Sequence, residues 1–264
     1  MAGDEADRRA AMFEPNNRLA FDRPVNEAAR AWWLARFFEP HGLTPEGMGD
    51  LITRSVTHEK LTRYDFIDGV GQAFRLRVEG RFVDGTQIWF VERTLSLVGG
   101  VFDADEMFIP EGQNRFGRGR RLMLDLIRLA AMLGIDRIRV QSRSVGRYAW
   151  LRMGFVPDEG SWKDMRGVLV HELFRVEREL GADKVAALLR QIMTGRPEIA
   201  GVLAALTDPV PSKVLVEHGL PVTVPLGKAL FIDVVGDWSG EFDLRGEGRL
   251  ALAEAYAGGV VHEE

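Results

Sequence analysis

The feature that most constrains this chain is a pair of glycines, Gly117 and Gly119, in the run Gln113-Asn114-Arg115-Phe116-Gly117-Arg118-Gly119-Arg120-Arg121. Helical spacing begins at once: Leu122, Leu126, Leu129 and Leu133 recur with Met123, Ile127 and Ala130 beside them. Just upstream, Glu106-Met107-Phe108-Ile109-Pro110 reads as a short strand closed by proline. A chain written this way passes from strand to helix through a tight turn. The first helical N–H groups have no partner inside the helix, and the peptide dipoles leave partial positive charge there, so the turn is a natural cradle for phosphate. Glycine at both positions lets the backbone approach a ligand and take positive φ. An ordinary strand-to-helix connection with solvated arginines fits the same residues, and the segment alone does not choose between the two.

At 264 residues the chain has room for one large domain or two modest ones, and 46% hydrophobic content is enough for a core. The net charge of -5 argues against a protein that coats nucleic acid without specificity. Lysine is confined to Lys60, Lys163, Lys184, Lys213 and Lys228, and arginine supplies the other basic groups. Arginine favours planar, paired contacts to carboxylate or phosphate. The absence of cysteine removes disulfides, thiolate nucleophiles and cysteine metal sites. The histidines, His41, His58, His171, His218 and His262, are scattered without ligand spacing, so no metal is expected. Met1 to Arg9 is charged and is not followed by a signal-type apolar run, and no stretch approaches the ~20 apolar residues of a membrane span. A cytoplasmic protein without a membrane partner is the expectation.

Along the chain, residues 1 to about 24 read as a loose polar arm. Asn26 and Thr44 are suited to cap two following helices, the first carrying Trp32, Trp33, Phe37 and Phe38 as core. Phe74, Leu76 and Val78 alternate with Arg75, Arg77 and Glu79, Asp84-Gly85 marks a turn, and 88–97 returns as a strand. Gly99-Gly100 and Asp103-Ala104-Asp105 are expected to interrupt before the strand that leads to the cradle. Gly134 ends the cradle helix, 135–140 is a strand, and 146–155 reads as a short helix ending at Gly154-Phe155. From Leu169 to about Leu206 the chain reads as helical, Ala229 to Val235 as a strand, Asp237-Trp238-Ser239-Gly240 as a turn, and 250–256 as a last helix. The order makes the fold class α/β.

The Gly-x-Gly turn into a helix, the next strand, and a helix closing on Gly154-Phe155 together resemble the acyl-CoA-binding core of the GNAT acyltransferase superfamily, over about residues 74–156. The resemblance implies a mixed sheet with flanking helices at about 61–165, preceded by an N-terminal arm and helices at 1–60 and followed by a helical and mixed α/β extension at 166–264. The family's first motif, Gln/Arg-x-x-Gly-x-Gly/Ala, is met by Asn114-Arg115-Phe116-Gly117-Arg118-Gly119, with Asn114 departing from it. Resemblance assigns the pyrophosphate of acetyl-CoA or another acyl-CoA to the amides around Phe116, Gly117, Arg118, Gly119, Arg120 and Arg121, with Arg115 adding charge. Pantetheine would lie between the strand at 106–110, which carries Phe108 and Ile109, and the strand at 135–140.

The implied activity is acyl transfer from acyl-CoA to an amine, on a small molecule or a protein, by direct attack in a ternary complex. Glu106, beside the cradle, is the first candidate for the base that takes the amine proton, ahead of Glu92, Asp103 and Asp105. The family places a tyrosine four residues before the Gly of Gly-Phe to protonate the leaving thiolate, and here that position is Trp150. Indole does not give up its proton at useful pH, so Tyr148, the nearest phenol, is the candidate acid. Trp150 also favours a rival expectation, a non-catalytic GNAT-like scaffold for protein interaction. The cradle lacks the Lys-Ser/Thr of a nucleotide P-loop and the third glycine of a dinucleotide fingerprint.

Overall fold

The computed structural model describes residues 7, 9–56, 58–67, 73–96, 99–110, 117–213 and 223–258. The chain is a mixed α/β protein that divides into two compact units, one of Met1–Ile138 with Leu244–Leu250 and Ala257–Glu264, the other of Arg139–Asp243 with Ala251–Tyr256.

In the first unit the strands lie in the order β1-β2-β3-β4-β5. β1 (Leu19–Phe21) runs parallel to β2 (Glu59–Phe66), and β2, β3 (Ala73–Arg81), β4 (Gln87–Ser96) and β5 (Val101–Phe108) pair antiparallel in sequence order. The β3–β4 hairpin is the one its alternation predicts, with Gly85 at φ 84° in the turn and the Asp84 side chain accepting from Thr86 N. Two strands escape the sequence reading. β1 lies in the expected polar arm, and β2 carries Thr62 and Tyr64 inward among charged neighbours. Asp103-Ala104-Asp105 belongs to β5 rather than breaking it, because ladder pairing outweighs the low strand preference of aspartate.

α1 (Glu27–Trp33) is capped by Asn26, whose side chain accepts from Ala29 N, and runs on as a π-helical turn, Leu34–Phe38. α2 (Pro45–Ile52) is capped by Thr44. Trp33 sits at the centre of an aromatic core, its ring centroid 4.7 Å from Phe37, 5.3 Å from Tyr64 and 5.4 Å from Phe74. Its buried indole N–H donates to Leu43 O at 2.9 Å, and the Tyr64 hydroxyl donates to Pro45 O at 2.7 Å. Burial raises the Tyr64 phenol well above its usual range. α3 (Arg118–Met132) follows Gly117, buries Leu122, Leu126, Ile127, Leu129 and Ala130, and ends where Gly134 takes φ 66°. β6 (Arg137–Ser142) starts beside the start of β5, Arg137 N donating to Gly100 O.

In the second unit β10 (Trp238–Asp243) pairs antiparallel with β7 (Val156–Pro157). α4 (Gly146–Met153) ends at Gly154, at φ 99°, and Phe155 N returns to Trp150 O. α5 (Glu159–Arg175) begins ten residues before the expected helical stretch, at its cap Asp158. α6 (Glu177–Leu180), α7 (Ala182–Thr194) and α8 (Ile199–Ala204) follow, then the short hairpin of β8 (Pro209–Pro211) and β9 (Thr223–Pro225). Ala229–Val234, expected as a strand, is π-helical, since an apolar run of this length suits a buried helix equally well. Trp238-Ser239-Gly240, expected as a turn, opens β10, where the Trp238 indole donates to Arg147 O at 3.1 Å. α9 (Arg249–Gly258) is the expected last helix. No described helix is long and apolar enough to cross a membrane.

Candidate functional site in the first unit

The site is built where β5 gives way to α3. Gly117 takes the left-handed conformation, φ 63° and ψ 21°, and at the cap position it offers the helix no side chain. The first turn holds no acidic residue; Arg118 and Arg120 are half-buried and Arg121 is exposed. Burial, and then the charge of Arg121, lower the pKa of the Arg118 guanidinium, so positive charge is concentrated where the helix already presents positive dipole ends. Gly119 faces the end of β5: a Cβ there would lie 3.4 Å from Ile109 Cδ1 and 3.5 Å from Met107 Sδ, ordinary contact distances. A methyl group would thus fit at Gly119 against the end of β5, whereas Gly117 supplies the backbone turn.

The β4–β5 ladder is irregular just before this corner. Thr94 pairs with Asp103 and Glu92 with Glu106, so Ala104 and Asp105 together oppose Arg93. A bulge of this kind leaves one residue's backbone groups outside the ladder and re-aims side chains. Glu106 is exposed on β5, and its carbonyl accepts from Arg93 Nη1 at 2.8 Å. Asp105 accepts from the Thr94 hydroxyl at 2.7 Å, and desolvation, with Asp103 and Glu92 nearby, raises its pKa. Phe108 stands half exposed and stacks on Phe90 at 5.7 Å.

A polar cleft of about 340 Å³ opens in the same unit, lined by Arg18, Asp50, Val56, His58, Glu59 and Lys60. Arg18 Nη2 donates to both carboxylate oxygens of Asp50 at 2.9 Å, and Nη1 pairs with Glu46 at 2.7 Å. Lys60 is largely buried, donates to Thr53 O at 2.9 Å, and has its pKa lowered by burial against the attraction of Asp50 and Asp125. Trp89 Nε1 donates to His58 Nδ1 at 3.4 Å, which leaves the neutral ring presenting Nε2–H. Burial first, then Arg118 and Lys60, lower the His58 pKa, which favours the neutral ring. Asp125, on α3, is buried and accepts from Ser55 N at 2.7 Å, joining the α2 exit to α3. Arg118, at the start of α3, acts on His58 in this cleft through its charge.

The structure thus gathers Glu106, Phe108, Ile109, Gly117, Arg118, Gly119, Arg120 and Arg121 along β5 and the first turn of α3. Arg115 and Phe116 lie outside the described residues. Tyr148 lies in the second unit, on α4, where its hydroxyl accepts from Arg152 Nη1 at 3.2 Å. Trp150 packs at 6.2 Å from Phe155 and against Gly146, where a Cβ would lie 2.7 Å from its indole nitrogen. The sequence reading missed Arg93, His58, Lys60 and Asp125. Arg93 leaves a trace in the sequence, being the charged residue in the inward phase Trp89, Val91, Arg93, Leu95 of β4. The cleft residues leave none, because they converge from segments distant in the chain. Among the described residues no group of three or more His, Asp or Glu side chains is placed to hold a metal ion.

No protein-family model and no curated protein matches the chain. Among solved structures, the crystal structure of nourseothricin acetyltransferase is similar at 17% identity, over 39% of this chain and 72% of that one, with a TM-score of 0.28. A likeness that slight defines neither a fold nor an activity for this chain.

Proposed function

We propose that this protein is an acyltransferase that takes an acyl group from acyl-CoA and passes it to an amine. The observation that carries this reading is the first turn of α3: a long buried helix that begins at a left-handed glycine, which has no side chain to cap it, and bears Arg118, Arg120 and Arg121 where acidic residues would be favoured. That arrangement is complementary to an anion, and the pyrophosphate of coenzyme A is such an anion. The Gly117-x-Gly119 motif and its resemblance to the GNAT superfamily supply the identity of the anion.

In this reading the amides at Gly117 to Arg121 hold the pyrophosphate, and Phe108 and Ile109 line the approach along β5. The β5 bulge would offer a backbone N–H to polarise the thioester carbonyl. The amine nitrogen attacks the carbonyl carbon, the C–N bond forms, the C–S bond breaks, and the coenzyme A thiolate leaves. Glu106, exposed on β5, takes the amine proton directly or through water. A thiolate is a competent leaving group, so Tyr148 as acid is an addition to this scheme and not a requirement.

Calorimetric titration with acetyl-CoA and with coenzyme A, beside Gly117→Asp, tests the proposal. Aspartate tolerates the left-handed conformation better than most residues but places a negative charge in the cradle. Binding to the wild type, weakened about tenfold or more in a folded Gly117→Asp, is the expected result. No binding by folded wild-type protein would sink the acyltransferase and leave the scaffold.

A further inference from the structure

Arg93 is 1% exposed, yet two of its three guanidinium nitrogens have no partner among the described residues. Nη1 is anchored, donating at 2.8 Å to both Glu92 O and Glu106 O across the bulge. Nε and Nη2 are buried and unsatisfied. These two atoms form one edge of the guanidinium, the edge that grips a carboxylate with parallel N–H donors. The same protein uses that edge elsewhere: Arg81 Nε and Nη2 meet the Glu79 carboxylate at 3.2 and 2.7 Å, and Arg175 Nε meets that of Glu172 at 2.8 Å. At Arg93 no carboxylate of the described residues meets that edge. Glu92 and Asp105 act on it only through space, since Glu92 is engaged by Arg75 and Arg77 and Asp105 by Thr94.

The guanidinium remains charged at neutral pH, although burial lowers its pKa to about 10. Its neighbours on the inward face of β4 are Val91 and Leu95, and its partner across β3 is Leu76, none of which can accept a hydrogen bond. Nη1 fixes the group at Glu106 O, and the next inward residues along β5, Met107 and Ile109, are only half-buried where they meet Gly119. Met107, a flexible side chain, is the inward residue of β5 nearest to both Glu106 and Gly119.

We propose that the Nε–Nη2 edge of Arg93 is a receptor for a substrate carboxylate, so that the molecule acted on at this corner is a carboxylic acid. This rests on the acyl-CoA reading only in naming where the carboxylate comes from: the distal end of a dicarboxylic acyl group, or an amino-acid acceptor.

The test follows the Arg93 Nε–H resonance by NMR in the whole protein labelled with ¹⁵N and ¹³C at arginine, assigned through its own side-chain bonds and confirmed by its loss in Arg93→Lys. Succinyl-CoA, acetyl-CoA, coenzyme A and glycine are titrated separately. The expected result is a saturating downfield shift with succinyl-CoA, which makes the carboxylate acyl-borne, or with glycine, which makes it acceptor-borne. Arg93→Lys then weakens that ligand about ten- to a hundredfold, as the loss of a charge-assisted fork does. An unmoved resonance with all four overturns the receptor, and an equal shift with acetyl-CoA and succinyl-CoA overturns it in favour of a thioester carbonyl contact. Coenzyme A binding without any Arg93 response leaves the acyltransferase standing. A glycine response without coenzyme A binding leaves the receptor standing and removes the acyltransferase.

Discussion

The two longest helices, α3 in the first unit and α5 in the second, begin in opposite ways. α5 is closed by its own chain: Asp158 accepts from Ser161 N at 2.7 Å, Glu159 lies in the first turn, and Arg175 in the last. Every one of these choices complements the helix dipole. α3 makes the reverse choices at its start, with left-handed Gly117 at the cap position and three arginines in the first five positions. Its body, by contrast, is more deeply buried, with an unbroken run from Leu122 to Ile127, whereas α5 buries a single stripe of Trp162, Met165, Leu169, Glu172 and Leu173. α5 is a helix optimised to fold. α3 is held by its body and gives up its first turn, which is the pattern expected where a local rule is broken for function.

The largest test of this contrast is core truncation. Leu126→Ala and Leu169→Ala remove leucines with 0% exposure from the two helices and should each cost about 2–5 kcal/mol in urea denaturation. A cost below about 1 kcal/mol at Leu126 would mean that α3 is not anchored by its body and that its open end needs no other explanation. A smaller contrast lies at the first turns. Asp158→Ala should lose about 1 kcal/mol, whereas Arg121→Glu in α3 should gain about 0.3–1 kcal/mol while weakening coenzyme A. Loss of stability in Arg121→Glu would show that the arginine turn is structural.

The smallest effect is in the pH dependence of the first unit. The folded pKa of His58 lies below its unfolded value near 6.5. The folded state therefore binds fewer protons, and the contribution of His58 is complete above about pH 6.5 and lost as pH falls toward the folded pKa. Denaturation midpoints should drop on acidification below pH 6.5, and His58→Gln should flatten that slope. An unchanged slope in His58→Gln would remove His58 from the positive cluster around Arg118.

The cradle helix, the hairpin and both glycine-ended helices are legible because each rests on local rules: apolar spacing, capping residues, and glycine at positive φ. β2 is not legible, because Lys60, Arg63 and Asp65 interrupt its apolar residues and only pairing with β3 makes it a strand. Val101 to Phe108 misleads for the same reason, its aspartates lying on the solvent side of a bulge set by β4. The apolar run at 229–234 carries no period that separates strand from helix. At the site, Glu106 and the arginine turn could be named from their nearness to Gly117 in the chain, whereas His58, Lys60 and Asp125 come together only through the packing of α2 on α3.

The sequence by itself determined the strand-to-helix turn at Gly117, the amphipathic body of α3 and the α/β class, because these follow from forces acting within a few residues. Tertiary structure alone decided that Arg93 is buried with one edge unmet by the described residues, that burial and Arg118 favour the neutral ring of His58, and that the end of β5 lies against Gly119. Burial removes water from charges whose compensation depends on neighbours far away in the chain, and no local pattern states which neighbours those are.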